Sequence, residues 1–398
     1  MVAGRHRPAG VVDRRLFVLV GTMVLVENLF YSVLIPLLPF YVGELGLTKA
    51  SAGTLSAFYA FAMIAFAVPA GFLVARIGAR RTVLTGVALL AVSSIAFGFA
   101  RDLELLDAAR FLQGAGGACV WAAGLTWLVS TAPRQRRGEL VGAAVGVGIA
   151  GALLGPVLGG IATVTSPELV FSAVAAVIAA LGFLALRIPA PPPGRPDTLG
   201  DLVRAARAEP SLRAGLWFTA LPSTLFGVLE VLAPLRLSAL GAGSVAIALT
   251  FFVCTAVEAA INPVVGRLAD RRGAYPVARA GLAACAVVAV ILPLPGAVVP
   301  YAVLLVGACV AFGAPWVPAG ALLSGGVERR GLDLGVAFGL WNLAWGGGQA
   351  VGAAGGAGIA EASSDAVPYL IGAALCLLTV LGGAVRSRRA AGRAAGAG

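Results

Sequence analysis

The side chains on which most active sites depend are scarce in this chain. Its 398 residues include one histidine, His6, and one lysine, Lys49, and only 12% of the residues are charged. A single histidine in a charged N-terminal tail excludes histidine proton relays and histidine-rich metal sites. No HExxH or GxSxG motif occurs either. The sequence therefore argues against an enzyme and predicts no cofactor and no metal.

The five cysteines show no pattern of a metal or redox site. All of them lie inside apolar runs, and no two have CxxC spacing: Cys119, Cys254, Cys285, Cys309 and Cys376. A free cysteine packs like a small apolar residue, and we expect that role for all five.

Apolar residues are in excess. They make up 59% of the sequence, against about 45–50% in soluble proteins, and the charged share is about half the usual one. Mean hydropathy is +0.95. One core cannot bury this much apolar surface, so the surroundings are predicted to be a lipid bilayer.

Twelve apolar runs are long enough to cross that bilayer. A hydrocarbon core about 30 Å thick needs about 20 apolar helical residues, and lipid forces such spans to be helical. The sequence therefore predicts an all-α membrane protein with twelve transmembrane helices. The predicted spans are Leu16–Val42, Ala50–Ala75, Thr82–Ala100, Ala108–Ala132, Leu140–Val164, Leu169–Leu186, Ala214–Leu237, Val245–Val265, Val277–Leu294, Val298–Leu323, Leu334–Ala360 and Val367–Val385.

The net charge of +11 follows from the distribution of arginine. If the N-terminus is cytoplasmic, 25 of the 29 basic residues lie on that side, while Lys49, Arg101 and Arg236 face outward and Arg110 lies inside a span. This asymmetry predicts a multi-pass protein of the plasma or inner membrane with both termini cytoplasmic. No basic stripe carries interleaved aromatics, so no nucleic-acid partner is expected.

The composition changes between spans six and seven. Pro189 to Pro196 is proline-rich, which is typical of an extended spacer, and a short helix is predicted from Thr198 to Ala208. We expect an N-terminal six-helix bundle over 1–190, a cytoplasmic linker over 191–213 and a C-terminal six-helix bundle over 214–398.

Two loop motifs indicate an internal repeat. Gly71-Phe-Leu-Val-Ala-Arg76-Ile-Gly78-Ala-Arg80-Arg81 follows span two, and Gly266-Arg-Leu-Ala-Asp270-Arg271-Arg-Gly273 follows span eight, with starts 195 residues apart. Matching loops at corresponding points of two halves are typical of transporters built from parallel repeats.

These loops resemble the signature of the major facilitator superfamily, with Ala75 where the first loop of the family has Asp. A second signature of the family is matched in span four by Arg110-Phe-Leu-Gln113-Gly114-Ala-Gly116-Gly117. A third, in span five, resembles the antiporter motif through Gly151, Gly155, Pro156, Gly159 and Gly160. The resemblance covers essentially the whole chain and implies two six-helix bundles, alternating access and gating roles for the loop residues.

A finer likeness is to the drug:proton antiporters and the related vesicular amine transporters. Span one carries Glu27-Asn28 followed by Pro36-Leu-Leu-Pro39, and span seven carries Glu230 with Pro234 after it. Span eleven has Asn342 where the amine transporters have an acid. The likeness implies a monomeric, proton-coupled exporter of small lipophilic compounds, cations among them, as in multidrug or metabolite efflux and antibiotic resistance. An importer or facilitator of a sugar, amino acid or other metabolite is the alternative.

Three acids lie within spans: Glu27, Glu230 and Glu258. A charge at mid-membrane costs about 2.5–3.5 kcal/mol on insertion scales, so such acids are expected to face a cavity or a partner. Each is predicted to bind protons and substrate, with Glu27 first because it is far from both ends of its run; the alternative is a helix-end acid without a transport role.

Arg110 shares a helical face with Gln113, Gly117 and Trp121. The resemblance makes this arginine a partner that tunes the proton affinity of the acid; the alternative is an arginine that snorkels to headgroups. Aromatic and polar residues are expected to form the rest of a substrate site, and packing is their alternative role: Asn28, Tyr31, Gln113, Trp121, Trp316, Trp341, Asn342, Trp345 and Gln349.

Glycine-rich stretches occur at Gly148–Gly160 and Gly346–Gly356. They lack the G-K-[ST] of a phosphate loop, so we expect close helix packing there, with spans five and eleven each against a neighbour from the other half.

Overall fold

The computed structural model describes residues 14–132, 136–190, 209–330 and 334–395. Within these ranges all regular structure is helical. The helices are α1 Arg14–Ser32, α2 Leu34–Leu45, α3 Lys49–Ile77, α4 Ala79–Phe99, α5 Leu103–Ser130, α6 Arg137–Val164, α7 Pro167–Leu186, α8 Pro210–Ala239, α9 Ser244–Arg272, α10 Ala274–Ile291, α11 Val298–Gly313, α12 Trp316–Arg329, α13 Leu334–Ala350, a π-helical stretch Val351–Gly356, α14 Ala357–Ala362 and α15 Ala366–Ala395.

Ten helical stretches in the described ranges are long and apolar enough to cross a membrane, and each overlaps one of the predicted spans one to ten. Predicted span eleven runs through α13, the π-helical stretch and α14, and span twelve lies in α15. The count of twelve spans stays a prediction. The predictions for the N-terminal tail and for the short linker helix Thr198–Ala208 lie outside the described residues.

Span one is broken at Val33, between α1 and α2. Pro36 explains the break, because proline has no N–H to donate to the carbonyl of Ser32 and its ring clashes with that carbonyl. The break therefore follows directly from the Pro36-x-x-Pro39 sequence.

The backbone repeats with a period of 195 residues. Among the described residues four glycines have positive φ, and they form two pairs with this offset: Gly46 and Gly241 at 62° and 96°, and Gly78 and Gly273 at 89° and 88°. The first residues of α3 and α9, of α4 and α10, and of α5 and α11 are also 195 apart. Only glycine adopts positive φ without strain, so matching turns and helix starts show that the two halves repeat the same local structure.

The helices cluster into two compact units, whose limits differ from the predicted domain boundaries. Among the described residues, unit 1 comprises 14–34, 62–132 and 136–190, and unit 2 comprises 35–61, 209–330 and 334–395. The segment 35–61, predicted within the N-terminal bundle, therefore packs with the C-terminal part of the chain.

Several contacts hold that segment within unit 2. Lys49 Nζ lies 2.5 Å from Asp365 Oδ1, and the amide N of Ala50 donates to Glu361 Oε2 at 2.7 Å. A Cβ on Gly53 would overlap the carbonyl oxygen of Ala353. The Ala50 amide, then the Thr48 hydroxyl and Lys49, lower the pKa of Glu361, which keeps this carboxylate charged at neutral pH.

Reversing the Lys49–Asp365 pair tests this contact. We expect Lys49→Asp and Asp365→Lys each to lower the free energy of unfolding by at most about 1 kcal/mol, because both side chains are partly exposed. The double variant should recover most of the loss, as measured by thermal unfolding in a double-mutant cycle. The same swap at the exposed pair Arg101–Glu168 within unit 1 is the control; absence of any coupling at Lys49–Asp365 would show that the pair does not hold the segment.

An aromatic cluster organises the core of unit 1. Phe30, Phe97 and Phe171 come from spans one, three and six, with ring centroids 5.0–6.3 Å apart. The hydroxyl of Ser94 donates to the carbonyl of Phe171 at 2.8 Å. Span one, which carries Glu27, is thereby fixed against two other spans.

Span five packs directly on span one. A Cβ on Gly155 would lie 2.5 Å from the carbonyl oxygen of Leu29, and one on Gly151 would lie 2.9 Å from the carbonyl carbon of Leu25. The hydroxyl of Ser32 donates to the carbonyl of Ala152 at 3.0 Å. The expectation that these glycines meet the other half is therefore wrong: small residues let neighbours within one half approach, but their spacing does not say which neighbour.

Span eleven repeats this packing on span seven. Cβ atoms on Gly348 and Gly352 would overlap the carbonyl oxygens of Ala220 and Thr224, which are 195 residues after Leu25 and Leu29. Gly352 lies in the π-helical stretch, where i→i+5 hydrogen bonding widens the helix. These two glycines therefore meet a neighbour within the C-terminal six spans, and not the expected neighbour from the other half.

Candidate functional site

Glu27 is fully buried, with 0% exposure, in α1 of unit 1. The indole Nε1 of Trp121 donates to its Oε2 at 2.9 Å, and the amide Nδ2 of Asn28 donates to the same oxygen at 3.1 Å. A Cβ on Gly117 would lie 2.7 Å from its Oε1. Two neutral donors therefore hold the carboxyl against the glycine face of α5.

The sequence of α5 explains how these partners converge. Gln113, Gly117 and Trp121 follow Arg110 at spacings that place all four on one helix face, and the structure confirms the predicted face. Gly148 of span five closes the other side, because a Cβ there would lie 3.2 Å from Asn28 Nδ2. A larger residue at either glycine would compete for the space around Glu27.

Arg110 is 1% exposed, so the alternative of an arginine that snorkels to headgroups is wrong. Its Nη1 donates to Gln113 Oε1 at 2.7 Å and to the Tyr31 carbonyl at 3.3 Å. Its Cζ lies 5.6 Å from the centroid of the Tyr31 ring. Because Tyr31 is one helical turn after Glu27, the guanidinium acts on the same face of α1 as the acid.

The other two predicted acids lie in unit 2. Glu230 is 6% exposed and accepts a hydrogen bond from Gln349 Nε2, which joins span seven to span eleven. The carboxyl of Glu258 occupies the space beside Gly313, where a Cβ would overlap it. Both acids interact electrostatically with the buried thiol of Cys309, so they belong to one region of the unit.

Aromatic rings form a continuous row in unit 2. Ring centroids are 5.1 Å apart for Phe226 and Trp316, 6.3 Å for Trp316 and Trp341, and 6.3 Å for Trp341 and Trp345, whose planes differ by 4°. The three tryptophans are half-buried, as is Asn342. Each of the three tryptophans therefore keeps part of its surface uncovered by the rest of the protein.

The 195-residue period relates this row to the Glu27 pocket. Trp121 corresponds to Trp316, Asn28 to Ser223 and Tyr31 to Phe226. The Trp316 indole donates to Ser223 Oγ at 3.1 Å, just as the Trp121 indole donates to Glu27 beside Asn28. Ser223 and Phe226 were not predicted as site residues; applying the 195-residue offset to Asn28 and Tyr31 would have found them.

The predicted gating loops lie at helix ends. Gly71, Arg76, Arg81, Asp270 and Arg271 are exposed, whereas Arg80 and Gly266 are half-buried. Gly78 and Gly273 make the matching turns with positive φ. The turns are therefore built alike in the two halves, and the gating role stays a prediction.

The cysteines Cys119, Cys254, Cys285, Cys309 and Cys376 are buried and free, which agrees with packing. Across the part of the chain that the structure describes, no group of three or more His, Cys, Asp or Glu side chains is arranged to hold a metal ion.

Comparison with known proteins identifies the family of this chain. A model of the Major Facilitator Superfamily matches residues 20–337. The MFS-type transporter ppzB of Metarhizium rileyi is 34% identical over 40% of this chain and 34% of its own length. The quinolone resistance protein NorA of Staphylococcus aureus is 27% identical over 40% of this chain and 41% of its own.

A third relative is the probable vesicular acetylcholine transporter-B of Danio rerio, 30% identical over 37% of this chain and 32% of its own length. The matched segments thus span about a third to two fifths of these relatives. Among solved structures, the nucleoside transporter NupG superimposes with a TM-score of 0.71 at 12% identity, covering 92% of this chain and 98% of its own. That likeness concerns the fold.

Proposed function

Because the chain belongs to the Major Facilitator Superfamily, we propose that this membrane transporter exports small lipophilic compounds, cations among them, in exchange for protons. The observation that carries the proposal is the fully buried carboxyl of Glu27, held by Trp121 and Asn28. A carboxyl in the membrane interior is costly, so its presence there supports a functional role.

Competition for this carboxyl would couple the two fluxes. The deprotonated form attracts a cation, and protonation releases it. Arg110, one turn along the same face, would set the balance between the two forms, while Glu230 and Glu258 offer further proton sites in unit 2.

The aromatic row of Trp316, Trp341 and Trp345 supports the substrate class. Half-buried rings bind apolar and cationic groups through their faces, and no hydrogen-bond pattern is needed for that contact. We propose that the protein works as a monomer with twelve spans in two bundles, that both termini are cytoplasmic in the plasma or inner membrane, and that the bundles alternate access to a midplane site.

Transport in proteoliposomes tests the proposal. An imposed pH gradient should drive the purified protein to accumulate lipophilic cations and related neutral compounds. Substrate and protons should move in opposite directions. Substrate that moves in the same direction as protons would instead identify the importer alternative. If transport of every compound in a panel of cationic, neutral and anionic compounds is the same with and without the pH gradient, the proposal of proton exchange is wrong.

A further inference from the structure

Unit 2 contains a cavity whose lining includes neither Glu230 nor Glu258 nor the aromatic row. Its volume is about 480 Å³, within the range of small-molecule sites. It lies at the end of the unit predicted to face outward, between the ends of α8 and α10, the start of α11 and the turn before α15. The charged and hydroxyl-bearing side chains that matter here are Lys49, Arg236, Tyr301, Glu361, Asp365 and Tyr369.

The two carboxylates of this cavity are already occupied. Asp365 Oδ1 is 2.5 Å from Lys49 Nζ, and Glu361 accepts the Ala50 amide at 2.7 Å. Further cationic ligands would have to displace these partners. The acceptors in the wall are therefore largely satisfied.

The donors are not. Arg236 is half-buried, and its hydrogen bond to the carbonyl of Pro295 is 3.5 Å long, at the limit for such a bond. A guanidinium has five N–H donors in a fixed fork, so most of this fork is available to the cavity.

Two buried tyrosines add a further donor. Tyr301 and Tyr369 are each 2% exposed, and the buried hydroxyl of Tyr369 has no hydrogen-bond partner among the described residues. The O–H of Tyr369 is therefore available to donate to a group in the cavity. Arg236 also acts electrostatically on Tyr301, which places this tyrosine close to the guanidinium.

We infer that the cavity is a binding site for an oxyanion, a carboxylate or phosphate group, held by Arg236 together with Tyr301 and Tyr369. The planar fork of arginine matches two oxygens of such a group. The apolar walls from Leu232 and Pro293 accommodate an organic body, so either a small organic acid or the headgroup of an anionic lipid can supply the oxyanion.

A bound oxyanion in this cavity should stabilise unit 2 against unfolding. The wall combines Lys49 from α3, Arg236 from α8, Tyr301 from α11 and residues 361–369, and these segments form the site only when they are packed together. A ligand that binds this arrangement but not the unfolded chain raises the unfolding temperature. For a chain of this size a saturating ligand should raise it by a few degrees.

Thermal unfolding of the full chain in phosphatidylcholine nanodiscs tests the site. Benzoate should raise the unfolding temperature saturably, and uncharged benzyl alcohol should not. Arg236→Gln should abolish the benzoate shift, and Arg236→Lys should weaken it because it keeps the charge without the fork. Arg101→Gln, an exposed arginine of unit 1, should leave the shift unchanged.

A second arm distinguishes the two sources. If an anionic lipid occupies the site, adding phosphatidylglycerol should stabilise the wild type, and benzoate should then have little further effect. Should Arg236→Gln fail to fold, Tyr301→Phe with Tyr369→Phe replaces it, with an expected loss of benzoate affinity of about tenfold for the lost hydrogen bond. Equal benzoate shifts in wild type and variants, or no shift from either benzoate or phosphatidylglycerol, would overturn the inference.

Discussion

Replacing Glu27 by glutamine is expected to abolish transport driven by a pH gradient. Glutamine keeps the size of the side chain and a hydrogen-bond acceptor for Trp121 and Asn28, but it cannot release a proton. A gradient equivalent to 100 mV supplies about 2.3 kcal/mol per proton, which corresponds to about fifty-fold accumulation. We expect this accumulation to disappear in Glu27→Gln, while downhill movement of a neutral substrate persists.

Two variants separate proton coupling from general damage. Glu139→Gln removes an exposed carboxyl at the end of span five that pairs with Arg136 at 2.7 Å, and it should leave accumulation unchanged. Trp121→Phe removes one donor to Glu27 and should shift the pH profile of transport without abolishing it, as expected of a positioning residue. Full gradient-driven accumulation in Glu27→Gln would remove this acid from the mechanism.

The second large effect is expected at the contact between spans five and one. Gly155→Leu places a side chain where even a Cβ lies 2.5 Å from the carbonyl oxygen of Leu29, and it crowds the hydroxyl of Ser32 that bonds to Ala152. Because the contact is with backbone, the helices must separate, at a cost of about 1–3 kcal/mol or more. We expect a large loss of thermal stability and of transport.

Matched controls exist on the same helices. Gly146→Leu adds the same side chain to span five at a position with nothing within 4 Å of a new Cβ, so its stability should remain near that of the wild type. Gly352→Leu and Gly347→Leu, both in span eleven, make the same comparison for its contact with span seven. Equal stability and transport for Gly155→Leu and Gly146→Leu would show that close packing at the glycine motif does not matter.

Local features of the fold were predictable because they depend on nearby residues. Hydropathy located the first ten spans, Pro36 accounts for the break at Val33, and the loop motifs indicated the 195-residue period that Gly78 and Gly273 now show in the backbone. The shared face of Arg110 and Trp121 followed from helical spacing.

Features that depend on which helices meet were not predictable. The spacing of Gly151 and Gly155 marks a surface for close approach, but nothing in it identifies span one as the partner. The grouping of segment 35–61 with unit 2 rests on contacts over more than 300 residues of chain, such as Lys49 with Asp365. Ser223, by contrast, carries no signal of its own, but applying the 195-residue offset to Asn28 would have identified it.

Proton release on substrate binding tests the central role of Glu27 most directly. Purified protein in weakly buffered solution with a pH indicator would be mixed with a lipophilic cation that the wild type transports, and the number of protons released per bound molecule would be measured. The account predicts release from the wild type near neutral pH and a loss of that release in Glu27→Gln. Equal proton release from both proteins would contradict it.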